Sequence, residues 1–121
     1  MTWTVDLPVQ HRVSQNDRHH WAAAAKHKRA LREVAGWRAR LQRIPVQAHI
    51  VCTLHYRPAV FRIADPENLA PTLKAAIDGL RDAGVVPDDD PRYVTTRETV
   101  IEKPGKPALW LEIQTSDEEA A

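Results

Sequence analysis

Apolar and polar residues alternate along this chain with two distinct periods. Thr2 to Leu7 alternate weakly and predict a short first strand ended by Pro8. From about Arg18 to Gln42 the chain is rich in Ala, Arg and Lys, which favours helix. Leu31, Val34 and Leu41, with Trp37 nearby, recur there at helical spacing and predict a buried stripe, while Lys26, Arg29, Arg40 and Arg43 fall on another. Pro45 opens the clearest strand: Val46, Ala48, Ile50, Cys52, Leu54 and Tyr56 alternate with Gln47, His49, Val51, Thr53 and His55 until Pro58. A second helix follows to about Ala83, with Leu69, Leu73, Ile77 and Leu80 as its core stripe and Gly84 as its C′ residue. If Asp65 capped it, Pro71 would fall beyond the first turn and remove an internal hydrogen bond. The helix is therefore expected to begin near Pro71, with Asp65 to Leu69 in a turn. Tyr93 to Glu102 and Ala108 to Thr115 read as two strands joined by the Pro-Gly turn at Lys103 to Pro107, an antiparallel hairpin.

The order β-α-β-α-β-β implies an α+β fold: one small domain over residues 1–116, with a mixed or antiparallel sheet and helices on one face. Residues 117–121 form a polar tail. A length of 121 residues and a hydrophobic fraction of 43% suit one domain with a real core. The single cysteine, Cys52, excludes an internal disulfide framework and a Cys-based zinc site, and its place in an apolar alternation predicts a buried thiol. No run approaches a membrane span and no signal-peptide pattern opens the chain, so a soluble cytoplasmic protein is expected.

Charge changes the picture more than composition does. The net charge of +1 hides a basic first helix and an acidic second half. Between Arg18 and Arg43, eight cations face Glu33 alone, a net of +7; between Asp65 and Asp90, seven acids face Lys74 and Arg81, a net of −5. The first suits a polyanion and the second suits cations.

Asp65 and Glu67 precede the second helix, and Asp88 to Asp90 follow it. If these groups converge, their mutual repulsion requires a cation, and a set of carboxylate oxygens suits Mg²⁺ or Mn²⁺. Lys74 is placed to add positive charge beside a phosphate. Each part has a plainer reading. Asp65 and Glu67 suit helix capping and the helix dipole, Asp88 to Asp90 suit a solvated turn, and Lys74 suits an i,i+4 pair with Asp78. His11, His19, His20 and His27 lack a clean i,i+4 pair and fit surface positions better than a zinc site. Trp21 and Trp37 are expected in the core, with stacking on unpaired bases as the alternative.

Taken together, the segments Asp65-Pro66-Glu67-Asn68-Leu69, Lys74-Ala75-Ala76-Ile77-Asp78-Gly79-Leu80, Ala83-Gly84 and Asp88-Asp89 resemble, in order and spacing, the motifs of the RusA family of Holliday-junction resolvases. Ser14-Gln15-Asn16, followed by Trp21, resembles the family's S-x-N element. The resemblance implies a homodimeric, Mg²⁺-dependent endonuclease that nicks four-way or related branched DNA, with Mn²⁺ as a substitute ion. Asp65, Glu67 and Asp89 would bind the metal and Lys74 would join them in catalysis. Ser14, Asn16, Arg18, Lys26, Arg29, Arg40 and Asn68 are the expected DNA contacts. The chain departs from the family pattern at Glu67, where Asp is usual. It also departs at Ala70-Pro71-Thr72, three extra residues that would shift Lys74 by ~4.5 Å along a helix. The rival readings are a non-catalytic DNA-binding protein of the same fold and an interaction module with an acidic loop.

Overall fold

The computed structural model describes residues 1–15, 21–60 and 68–115. Strand β1 (Thr2–Leu7) leads through a single 3-10 turn at Val9–His11 to helix α1 (Trp21–Leu41). Strand β2 (Ile50–Arg57), helix α2 (Ala70–Asp82), strands β3 (Val94–Thr96) and β4 (Val100–Ile101), and strand β5 (Ala108–Thr115) follow. The fold is α+β, as the order of elements predicts.

Among the described residues the sheet has five strands in the order β1-β5-β2-β3, with β4 also on β2. It is mixed: β5 runs antiparallel to both β1 and β2, whereas β3 and β4 run parallel to β2. Leu109, Leu111 and Ile113 stand opposite Leu7, Val5 and Trp3 on one side and opposite Tyr56, Leu54 and Cys52 on the other. These rows pack in one core with Leu31, Ala35 and Ala39 of α1 and Ala76, Ile77 and Leu80 of α2. Both helices therefore cover the same sheet face. Cys52 lies in this core, and burial pushes its thiol up to about 12.

The expected hairpin does not form. Tyr93 to Glu102 breaks into two short strands on the far edge of β2, and β5 crosses to insert between β1 and β2. Two features explain the difference. Residues Arg97–Thr99 interrupt the alternation, so no long partner exists for β5, while β2 and β1 both offer apolar rows in its register. The Lys103–Pro107 segment wraps the end of β2 instead of making a tight turn. There Gly105 N–H donates to the Pro58 carbonyl at 3.0 Å, and Arg57 Nε donates to the Lys106 carbonyl at 2.7 Å. The strand opened by Pro45 also starts later than its pattern suggests, at Ile50, with Val46 exposed.

Leu31 of the expected stripe on α1 is buried, but the helices otherwise cross through small residues. Leu31, Ala35, Gly36 and Ala39 are its buried positions, whereas Trp37 and Leu41 are 61% and 64% exposed. A methyl group on Gly36 would meet the Gly79 carbonyl at 3.0 Å, and one on Gly79 would meet Ala35 Cβ at 2.9 Å. The backbones approach too closely for a large side chain between them, which displaces Trp37 to the surface. Trp21, at 76% exposure, is also outside the core.

Both helices end in Schellman motifs, which satisfy carbonyls that the last turn leaves open. Gly84 closes α2 at φ 81°, with Val85 N–H bonded to the Leu80 carbonyl at 3.0 Å. Arg43 does the same for α1 at φ 55°, with Ile44 N–H on the Ala39 carbonyl at 3.2 Å. A non-glycine residue in this conformation costs about 1–2 kcal/mol, here offset by the buried Ile44 side chain.

Candidate functional site

Helix α2 gathers three other stretches of sequence: Val13–Gln15 and the turn at Asn68 at its N-terminal end, and the Asp88–Asp89 loop further along. Asn68 precedes the N-cap Leu69, and its Oδ1 accepts the Ala70 N–H at 3.1 Å; Pro71 follows within the first turn, where its missing N–H costs nothing. The segment before α1 docks on the same end. Ser14 Oγ accepts the Asn68 N–H at 3.2 Å, the Asn68 carbonyl accepts Gln15 N–H at 2.8 Å, and Asn68 Nδ2 donates to Gln15 Oε1 at 2.7 Å.

Thr72, fully buried, completes the joint. Its hydroxyl donates to the Val13 carbonyl at 2.8 Å and accepts the Val13 N–H at 2.7 Å. Thr72 belongs to the three extra residues noted above, so that segment fastens the Val13–Gln15 strand of chain to the helix. Its role has no signature in the sequence, because Thr inside a helix ordinarily bonds within its own turn or to water.

Further along α2, Lys74, Asp78 and Arg81 lie on one face, three to four residues apart, and the loop after the helix folds back onto them. Lys74 Nζ donates to Asp89 Oδ2 at 2.5 Å and to Asp78 Oδ1 at 3.2 Å. Arg81 lies 3.5 Å from Asp88, 3.6 Å from Asp89 and 4.0 Å from Asp78. Asp88 Oδ1 accepts the Asp89 N–H at 2.8 Å, fixing the loop internally. The hydrogen bond from Lys74 holds Asp89 well below the usual carboxylate range, and the same bond raises the Lys74 amine. Three carboxylates thus share two cations, and one negative charge is left over. Asp90 turns away from them to Arg92, at 2.8 Å.

Asp65 and Glu67, the other two expected metal ligands, lie outside the described residues, as do the expected DNA contacts Asn16 and Arg18. Of the remaining expected site residues, Lys74 and Asp89 are brought together, three extra residues notwithstanding. Ser14 is only 4% exposed, and its hydroxyl serves the joint with Asn68. Asn68 is exposed but engaged on three sides. Lys26, Arg29 and Arg40 are exposed on α1, and Arg40 donates to the Asp82 carbonyl at 2.8 Å. Among the described residues no three His, Cys, Asp or Glu side chains are grouped so as to hold a metal ion. The Asp89 cluster does present carboxylate oxygens, the donor type that hard cations take.

Two polar clusters lie elsewhere. His11 and His27, sixteen residues apart, meet Nδ1 to Nδ1 at 2.9 Å, a pairing that sequence spacing does not reveal. On the sheet face away from the helices, His55 Nδ1 donates to Glu102 Oε1 at 2.8 Å and the ring stacks on Trp110 with centroids 5.2 Å apart. Among the described residues no helix is long and apolar enough to cross a membrane. No protein-family model matches the chain, and no curated protein matches it in sequence.

Proposed function

We propose that the chain is a metal-dependent endodeoxyribonuclease of the RusA type, nicking Holliday junctions or related branched DNA in recombination and repair. One observation carries the reading: the loop after α2 returns Asp89 to Lys74, in the helix turns just beyond Asn68, the chain neighbour of Glu67. Lys74 and Asp89, fifteen residues apart and each matching one of the family's motifs, thereby meet on one face of α2.

In this reading Asp65, Glu67 and Asp89 hold Mg²⁺ or Mn²⁺. The ion, when bound, supplies an acidified water and neutralises charge on the phosphodiester. Lys74, 66% exposed at its side chain, orients the scissile phosphate, which would leave Asp89 available to hold the ion. The basic face of α1, with Lys26, Arg29 and Arg40, holds flanking phosphates. Two nicks on strands related by two-fold symmetry call for two sites so related, hence a C₂ homodimer.

The test is nicking of a synthetic four-way junction with Mg²⁺, Mn²⁺ or EDTA. Paired nicks that require the ion support the reading, and uncut junction under all three conditions removes it. A second reading, a non-catalytic DNA-binding protein of the same fold, draws on the Lys74–Asp89 ion pair, which already neutralises the carboxylate without a metal. Salt-sensitive junction binding without cleavage would select it.

A further inference from the structure

Helix α1 presents a second feature that phosphate binding leaves unexplained. Lys26, Arg29, Glu33, Trp37 and Arg40 fall on a single stripe of the helix, since successive steps of three and four residues stay on one face. The stripe is ~21 Å long at 1.5 Å per residue. At its C-terminal half, Arg32, Glu33, Trp37, Arg40 and Asp82 line an open cleft of about 490 Å³ between α1 and the last turn of α2.

The walls of this cleft are held in place. Asp82 takes Arg32 in a two-pronged pair, Nε to Oδ2 at 2.5 Å and the second nitrogen to Oδ1 at 2.8 Å. Its backbone carbonyl takes Arg40 at 2.8 Å. Two guanidinium groups are thus fixed on one residue, Asp82, and the exposed Trp37 side chain lines the same cleft. The ionised walls cancel, two arginines against Glu33 and Asp82, so the cleft itself has little pull on a phosphate. The stripe beyond it, with Lys26 and Arg29, is positive.

A neutral pocket with an aromatic wall beside a cationic track matches a nucleotide taken apart: base in the pocket, phosphates on the track. A second copy of this chain fits less well, because a two-fold axis through the face would set one positive stripe, with its Lys26 and Arg29, against another. We propose that the Trp37 cleft receives an unpaired nucleobase, so that α1 recognises the opened region of a branched or gapped DNA and not duplex alone. This rests on the nucleic-acid part of the reading above and is independent of cleavage.

The experiment measures binding in EDTA, where no metal-dependent nicking occurs, by anisotropy of labelled DNA. Three probes of equal length are compared: flush duplex, duplex with a short single-stranded gap, and the same gap with abasic sites. Loss of one base–aromatic stack predicts that Trp37→Ala weakens binding to the base-bearing gap by about 5- to 150-fold, with flush and abasic probes changed by less than about twofold. Trp37→Phe, which keeps a ring, recovers most of that loss. Because Trp37 is exposed, circular dichroism and melting should match the wild type for both variants. Equal weakening on all probes, no weakening on any, or equal wild-type affinity for base-bearing and abasic gaps overturns the proposal and returns the cleft to a protein partner. A wild-type chain that prefers the base-bearing gap yet never nicks in Mg²⁺ removes the nuclease reading and leaves this one standing. A chain that binds no DNA removes both.

Discussion

Two acidic residues of this chain, Asp82 and Asp89, are seven positions apart and are held in opposite ways. Asp82 at the end of α2 is matched: Arg32 meets both carboxylate oxygens, and Arg40 takes the backbone carbonyl. Asp89 is contested. It shares Lys74 with Asp78, and it shares Arg81 with Asp78 and Asp88, at distances from 2.5 to 4.0 Å. Both carboxyls are held below their ordinary range by a hydrogen bond from a neighbouring cation. The depressed carboxyl therefore does not distinguish a tie between helices from a ligand site. Balance does: a matched pair is complete, whereas a cluster with surplus acid is stabilised further by one more cation.

The largest expected difference is in activity. Asp89→Asn should lower metal-dependent nicking about a hundredfold or more, since a metal's charge stabilisation amounts to several kcal/mol. Asp82→Asn, which touches the Trp37 cleft and not the Asp89 cluster, should leave the turnover rate on saturating junction near that of the wild type while weakening the α1–α2 tie. Rate constants on one junction, with melting curves for both variants, check the contrast. Equal losses of activity would erase it.

The next effect concerns the anchor beneath the Asp89 end. Thr72→Val keeps the volume but strands the Val13 N–H and carbonyl in the core. An unsatisfied buried polar group costs about 1–3 kcal/mol, so a loss of roughly 2–3 kcal/mol is expected in urea unfolding. Thr72→Ser, which keeps the hydroxyl, should restore much of it. Nicking should fall as well if the Val13–Gln15 segment helps to shape the site.

The smallest effect separates the two acids by pH. Because Arg32 holds the folded-state carboxyl of Asp82 low, its contribution is fully present above the unfolded value, about 3.9. It is lost as pH falls through the lower folded value. Wild type should therefore exceed Asp82→Asn in stability at pH 7, and the gap should close below about pH 4. Both side chains are more than a third exposed, so the difference is modest and shrinks in high salt.

Much of this arrangement was legible in the sequence, and the exceptions have physical causes. The alternation of β2 and β5, the start of α2 near Pro71 and the Gly84 cap follow from local rules that tertiary structure did not override. The buried face of α1 was read correctly at Leu31 but not at Trp37 and Leu41, because a helix packed through Gly36 and Gly79 uses small residues that periodicity weighted toward Leu and Trp overlooks. The Arg43 cap was hidden because the position that favours glycine holds arginine. The hairpin failed because sequence adjacency is only a prior, and β5 found two longer partners elsewhere. At the site, the Lys74–Asp78 spacing announced an i,i+4 pair, which forms at 3.2 Å. The return of Asp89 to Lys74 is a long-range contact that no local pattern encodes, and the Thr72 anchor is another.

The most direct measurement of the central claim is a crystal soaked in Mn²⁺, with the ion located by its anomalous scattering. The account expects a peak bound by carboxylate oxygens of Asp65, Glu67 and Asp89, with Lys74 displaced from Asp89. A map with no ion at Asp89, and with the Lys74–Asp89 pair intact at saturating Mn²⁺, would contradict it.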